Sequence, residues 1–547
     1  MTATSPVVRR PSCVVSRYDA IVIGGGHNGL VAAAYLARAG KKVVVLERRP
    51  LVGGAAVTEE IVPGFKFSVF SYVVSLLRPE IIRDLDLPAH GLQILPLEST
   101  VTPLDNGDYL AGWADADETR REIGRHSPRD AEAASQFGRL MHHMAMAVKP
   151  ILGMVPPDPA SLAPSDLRGL MKLGGHFRSL GAERFHALYK LMTMSSADYL
   201  DEWYEFDPLK ATKSASGIIG TFLGPRSPGS AYVLLHHYMG EIDGAFRAWG
   251  FQKGGTGAIS ESIASAAKSF GAEVRTDAAV ERVLVRDGRA TGVALANGDE
   301  LSAPIVVSGL DPRRTFIDLV ESKELPADLV SSIANFRFRG SSGKVNLALD
   351  ALPNFSFLKD NGGYRSPLMA NALRGAVSIS PSVEYLERAY DDAKYGEFSR
   401  HPYMDIVIPS MIDPGMAPPG KHVMSIFVQY APYKLNGGWT DEKREAFGDA
   451  VIDTLERYAP NIRSVIRHRQ VLTPADIERI TGLSEGNIFQ GELALHQLFF
   501  LRPAPAWAKY RTPVKGYWQC GAGTHPGGGI MGASGRLAAL EILARGA

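Results

Sequence analysis

The chain has 547 residues, about three to four domains' worth, with 45% hydrophobic and 21% charged residues and ordinary glycine and proline usage, so collagen-like, disordered and disulfide-scaffold readings are excluded. Lysine and arginine number 59 against 58 aspartates and glutamates, a net charge of +1, which supplies no field to draw in nucleic acid. The two cysteines, Cys13 and Cys520, form neither a CxxC redox pair nor a thiolate metal cage, and a reducing compartment is the simpler expectation.

Residues 1–17 read as a flexible leader. They lack the apolar core of a signal peptide, and Arg9, Arg10 and Arg17 with Ser, Thr and no acid give a short, transit-peptide-like composition. The expected compartment is therefore the cytoplasm for a bacterial chain and the mitochondrial matrix for a eukaryotic one. No apolar run approaches the roughly 20 residues of a membrane span.

Tyr18 to Ile23 reads as a buried strand, Gly24 to Gly29 as a glycine turn, and Leu30 to Arg38 as a helix stopped by Gly40. Val43 to Leu46 supplies a second strand with Glu47 at its end. Each position has a physical reason: Gly24 permits the tight turn, Gly26 lets backbone N–H groups approach a pyrophosphate, and Gly29 lets the helix pack on the strand. The helix N-terminus favours the phosphates, and Glu47 is placed to accept from ribose hydroxyls. His27, inside the turn, faces solvent or phosphate on this reading.

Residues 128 to 244 carry Leu, Met, Phe and Tyr at helical spacing and read as a mostly helical insertion. Within it, Asp166–Ser196 mixes Leu167, Met171 and Phe185 with Arg168, Lys172, Arg178 and Arg184. That segment suits either packing within the insertion, with a break at Gly174-Gly175, or peripheral contact with a membrane. Strands return at Glu273–Arg275, Val280–Val285, Ala290–Leu295 and Ile305–Gly309, with hairpin turns at Asp287-Gly288 and Asn297-Gly298. Lys344 to Asp350 alternates as a strand. The densest glycine cluster, Gly521 to Gly535, leads into an apolar helix, an arrangement that offers backbone N–H groups to a second stretch of the same anionic cofactor.

Taken together, Tyr18–Glu47, the pair Gly53-Gly54, Gly64–Ser68, Lys253–Gly257 and Gly521–Gly535 resemble the phytoene desaturase-like branch of the FAD-dependent oxidoreductases, in particular a subgroup named after pyridine nucleotide-disulfide oxidoreductases. The resemblance implies an α/β fold: a Rossmann-like FAD-binding domain of glutathione reductase/amine oxidase type, built from residues 18–110, 245–315 and 485–547. Residues 111–244 and 316–484 would form an inserted α+β substrate domain. It also implies non-covalent FAD, with its pyrophosphate at Gly24, Gly26 and Gly29, its ribose at Glu47, and the cofactor running along Gly53 and Gly54. Val280 would touch adenine through its backbone, and Gly523, Gly529, Ile530 and Met531 would sit at the flavin end.

Two departures stand out. Ala55 replaces the family's usual Arg, and Ser68-Val69 replaces a frequent Asp-Gly, so flavin-ring contacts are expected to differ from those of the carotenoid enzymes. Disulfide reductase chemistry, which needs a cysteine pair and a second dinucleotide fold, has neither here. A flavin accepts hydride at N5 without an obligatory protein acid or base. The expected activity is therefore FAD-dependent dehydrogenation, desaturation or saturation of a lipophilic small molecule. Amine oxidase chemistry and a lipid-binding or regulatory role, the latter with a respiratory-chain protein partner, are the alternatives.

Lys344 matches a strand lysine of monoamine oxidase-like relatives that reaches flavin N5 through water, and the alternative is a lysine on an edge strand. His525 would either titrate beside the flavin or fill space next to Pro526. Cys520 reads as a small core residue, with covalent flavin attachment as the alternative.

Overall fold

Ala20–Ile23 is hydrogen-bonded on both sides, to Val43–Leu46 and to Ile305–Ser308, and all three strands are parallel and fully buried. Glu273–Arg275 and Tyr517–Gln519 extend the sheet outward, also in parallel. These relations come from a computed structural model that describes residues 18–242, 244–246, 248–359 and 366–545. Cys13 and the leader arginines lie outside the described residues.

A parallel sheet must be covered on both faces, which is why its strands are continuous apolar runs without alternation. One face carries the helices His27–Arg38, Gly257–Ser269 and Ala533–Arg545, packed through Ala32, Ala33, Ala266 and Ala538. The other carries an antiparallel meander of Val280–Arg286, Arg289–Leu295 and Glu300–Ser302. The sheet thus gathers strands from three distant stretches of chain.

A second sheet has seven strands, in the order Ile466–Leu472, Ser342–Leu349, His422–Gln429, Tyr403–Val407, Ala376–Ile379, Ser99–Pro103 and Tyr109–Trp113. Two sequence expectations change here. The strands at 99–103 and 109–113 belong to this sheet, so the first segment leaves the dinucleotide-binding unit before Ser99 and not at 110. The cause is a parallel pairing of Thr100 and Val101 with Ala376 and Val377, nearly 280 residues away, which local sequence does not display. Lys344 lies on an interior strand, paired on both sides by 422–429 and 466–472, and not on an edge.

The helical insertion contains Pro128–Leu152, Pro164–Thr193, Ser196–Asp201, Asp207–Ala215 and Ser230–Tyr238. Its long helix does not break at Gly174-Gly175. The break falls at Gly181, whose φ of +77° the backbone of other residues rarely adopts. No helix among the described residues is long and apolar enough to cross a membrane.

Candidate functional site

One cavity, enclosing about 1300 Å³ counting its open mouth, runs from the carboxyl ends of the parallel strands to the C-terminal glycine loop. This is the place where open α/β sheets bind ligands. At the first end, Gly24 turns the chain at φ +91° and its N–H donates to Leu46 O at 2.8 Å. The Gly25 N–H donates to Glu47 Oε2 at 2.8 Å, and the Arg49 N–H donates to Glu47 Oε1 at 2.9 Å. Each oxygen of this buried carboxylate keeps acceptor capacity on the cavity side.

The second glycine pair is built onto the first. The Gly53 N–H donates to Gly25 O at 2.8 Å, and Gly26 and Gly53 form a parallel bridge. A Cβ at Gly26 would meet nothing within 4 Å, because this residue faces the open cavity. A Cβ at Gly29, in contrast, would run into the Gly24 carbonyl oxygen, so Gly29 supplies close packing and does not line the cavity. His27 lines it, and its buried Nε2 finds no partner among the described residues. Burial pulls this imidazole down to about 4, which leaves it neutral. A cradle of backbone at a helix N-terminus, an orphaned donor or acceptor, and a carboxylate at the strand end fit an ADP moiety.

At the opposite end Ala522, Gly528, Gly529 and Ile530 form the wall. Asp311 also lines the cavity and was missed by sequence reasoning, although its position just after the buried strand 305–308 is a signal. Its Oδ1 accepts from Ser484 Oγ at 3.0 Å and from the Arg314 N–H at 3.1 Å, and its Oδ2 accepts from the Ser484 N–H at 2.9 Å. Burial raises its pKa against those bonds.

Of the residues expected on cofactor, Gly24, Gly26, Glu47, Gly53, Gly54, Gly529 and Ile530 line the cavity. Val280, Gly523 and Met531 do not: Val280 packs on the meander's core, Met531 is buried in the core of the helical insertion, and the Gly523 N–H donates to Gln490 Oε1 at 3.1 Å. His525 is also turned away. Its Nε2 bonds Ile151 O at 3.0 Å, and its carbonyl accepts from Tyr510 and Ser534 hydroxyls at 2.9 and 3.0 Å. Burial lowers it to about 4.

Lys344 sits directly behind the wall. Its Nζ donates to Ser68 O at 3.0 Å and lies 5.7 Å from the Tyr72 ring, and both Ser71 and Tyr72 line the cavity. Burial pushes the ammonium down to about 7. Ser68, which stands where the family often has Asp, is thus the acceptor for Lys344. Ala55, where Arg is usual, lines the cavity and leaves it open.

The limb between the two ends is aromatic and was invisible in the sequence. Tyr72 stacks on Phe427 at 5.4 Å, its hydroxyl donating to Asp405 at 3.0 Å. His237 stacks on Trp249 at 6.1 Å and its Nδ1 lies 3.0 Å from Val233 O. Burial lowers His237 to about 4. Phe70, Ile219 and Phe489 complete this limb. Cys520 is buried, and its thiol is pushed up to about 12, far from thiolate reactivity.

Comparison with known proteins agrees with this geometry. The profile of the family described as flavin containing amine oxidoreductase matches residues 29–543. The chain is 43% identical to pyridine nucleotide-disulfide oxidoreductase domain-containing protein 2 of Rattus norvegicus, over 96% of this chain and 93% of that one. It is 26% identical to the neurosporene-forming phytoene desaturase of Rhodobacter capsulatus, over 96% and 93%, so the resemblance read from the glycine segments holds. A limonene dehydrogenase chain of Castellaniella defragrans matches at 27% identity, over 96% and 95%. In fold the chain is similar to cyclohexylamine oxidase of Brevibacterium oxydans, with a TM-score of 0.55 at 18% identity over 96% and 97% of the two chains. The chain belongs to the flavin-containing amine oxidoreductase family and is an FAD-dependent oxidoreductase.

Proposed function

We propose that this flavin-containing amine oxidoreductase family member dehydrogenates or saturates a lipophilic small molecule held in the aromatic limb of the cavity. One observation carries the reading. The only acidic side chains in the cavity wall among the described residues, Glu47 and Asp311, follow the parallel strands at 43–46 and 305–308, and the aromatic limb contains no charged side chain among them. A limb of this kind stabilises an apolar ligand by area removed from water and contains no carboxylate or cation to pair with a charged group on the substrate.

When bound, FAD supplies the hydride acceptor, its N5. In the dehydrogenation direction two hydrogens would leave adjacent carbons, one as the hydride the cofactor accepts and the other as a proton passed to water at the cavity's open mouth, as the double bond forms. This chain's residues orient and desolvate. Phe427 fixes the Tyr72 ring, Trp249 fixes His237, and the neutral His237 adds no charge that would draw water into the limb. The names of relatives, a limonene dehydrogenase and phytoene desaturases, support substrates of this class.

A second reading, amine oxidation, is favoured by Lys344 standing behind Ser71 and Tyr72. Anaerobic addition of terpenes, polyenes and primary amines to the holoprotein separates the two. Bleaching of the flavin bands by an apolar polyene or terpene, and not by amines, is the expected result, and bleaching by amines alone would overturn it. Peripheral membrane contact belongs to the same proposal, since the helix Pro164–Thr193 exposes Leu167, Met171, Phe185 and Tyr189 beside basic side chains. Flotation of the protein with anionic liposomes is expected, and protein left entirely in solution would remove this part.

A further inference from the structure

Behind the wall where the C-terminal glycine loop meets residues 489–492 lies Arg502, with no exposed surface. Its Nη2 donates to Phe489 O at 2.9 Å, Gly491 O at 3.1 Å and Ala522 O at 2.9 Å. Nη1 donates to Glu492 O at 3.0 Å and Gln497 O at 3.2 Å, and Nε to Ala522 O at 3.2 Å. A guanidinium has five N–H groups, and five main-chain carbonyls surround this one.

None of these acceptors is a carboxylate. Glu492 presents only its carbonyl, because its carboxylate is held by the Arg339 guanidinium. The Phe336 ring closes another side, 5.6 Å from the guanidinium carbon. His236 and His525 are neutral, lowered to about 3 and about 4 by burial with a further contribution from Arg502 itself. Arg502 is lowered only to about 9 and stays protonated at neutral pH. Among the described residues no carboxylate bonds it, and it stands there as an unneutralised cation beneath the loop.

Desolvating a charge is expensive, and neutral donors could tie the same carbonyls at lower cost. Two of the carbonyl-bearing residues, Phe489 and Ala522, themselves line the cavity, so the charge stands one residue's thickness from it, where screening is weak. We propose that Arg502 is a positioning residue that both clamps these two walls and sets a positive potential at the flavin end of the cavity, favouring the reduced, negatively charged cofactor. This rests on FAD occupying the cavity with its flavin toward the glycine loop. Fixed charge of this kind costs no reorganisation during reduction.

The test is the two-electron reduction potential of the bound FAD, by dye equilibration, in wild type, Arg502→Gln and Arg502→Lys. A lower potential in Arg502→Gln, largely recovered in Arg502→Lys although both lose carbonyl bonds, is expected. Equal potentials in all three would overturn the proposal and leave a structural tie. Should Arg502→Gln not fold, wild-type holoprotein is titrated with sulfite, which adds to flavin N5 and leaves negative charge on the ring. Bleaching at millimolar sulfite supports the proposal, and no bleaching overturns it. A folded wild type that takes up no FAD would instead overturn the reading on which the proposal rests.

Discussion

The two ends of the cavity are made of different material. The phosphate end is mostly backbone: Gly53 is tied to Gly25 and bridged to Gly26, Gly24 is tied to Leu46 O, all within residues 18–54, and Glu47 and His27 are the side chains that join them at the cavity. The flavin end and the aromatic limb are side chains delivered by distant segments, with Tyr72, Trp249, Phe427 and Phe489 meeting from four parts of the chain. The lesson is one of specificity. A pyrophosphate is the same in every member of such a family and is served by a local turn, whereas a substrate limb is shaped by whichever side chains the tertiary fold brings together.

Substitutions at the two ends should therefore separate cofactor loss from substrate loss. The largest effect is expected at Gly26, where an added side chain meets no protein atom and grows into the cavity. Gly26→Leu should fold with an unchanged apoprotein melting temperature but lose FAD affinity by about 1,000-fold, roughly 4 kcal/mol, as read by fluorescence titration. Retention of FAD would break the comparison outright.

Lys344 sharpens it from the side of stability. Its pKa is lowered to about 7 from an ordinary value of 10.5 because it is buried. The unfolded chain therefore holds more protons between those values, and wild-type stability should rise with pH across that window by up to about 1.4 kcal/mol per unit. Below about pH 7 both states are protonated and the contribution is flat. Lys344→Met should lack the rise, so denaturant melts at about pH 7 and about pH 9.5 should show wild type gaining on the variant; parallel curves would place the ammonium in a solvated site.

A smaller effect is expected in the limb. Trp249→Ala removes the ring stacked on His237 while leaving the phosphate end intact. FAD content should be unchanged, and the substrate concentration needed for half-maximal anaerobic bleaching should rise about tenfold, near 1.4 kcal/mol. Smallest of all is His525→Asn. The ring faces Ile151 and not the cavity, so the rate of flavin reduction should stay within about twofold although the melting temperature falls. A loss of reduction with a change in its pH profile would return this residue to the chemistry.

The same contrast explains what could be read in advance. Gly24, Gly26 and Glu47 were legible because the features that make them a site lie within one βαβ stretch, whereas Gly53 and Gly54 came from the resemblance and also line the cavity. The strand read at 344–350 from its alternation runs over 342–349, and its interior position was not legible, since its partners at 422–429 and 466–472 lie far along the chain. Val280, Gly523 and Met531 were carried over by resemblance, and their neighbours on the chain, not they themselves, reach the cavity wall in the last two cases. His237, Trp249 and Arg502 carry no local motif, and Asp311 is marked only by its place just after the buried strand 305–308. An arginine read from sequence looks like surface, and only five converging carbonyls reveal this one as buried.

The most direct test of the account is the visible absorption spectrum of the purified protein, before and after denaturation and removal of the precipitate. Flavin bands that pass into the supernatant as FAD are predicted, because the phosphate end holds the cofactor through backbone and the buried Cys520 thiol, raised to about 12, is unsuited to attachment. A colourless protein that takes up no added FAD, or a chromophore that stays with the precipitated chain, would contradict it.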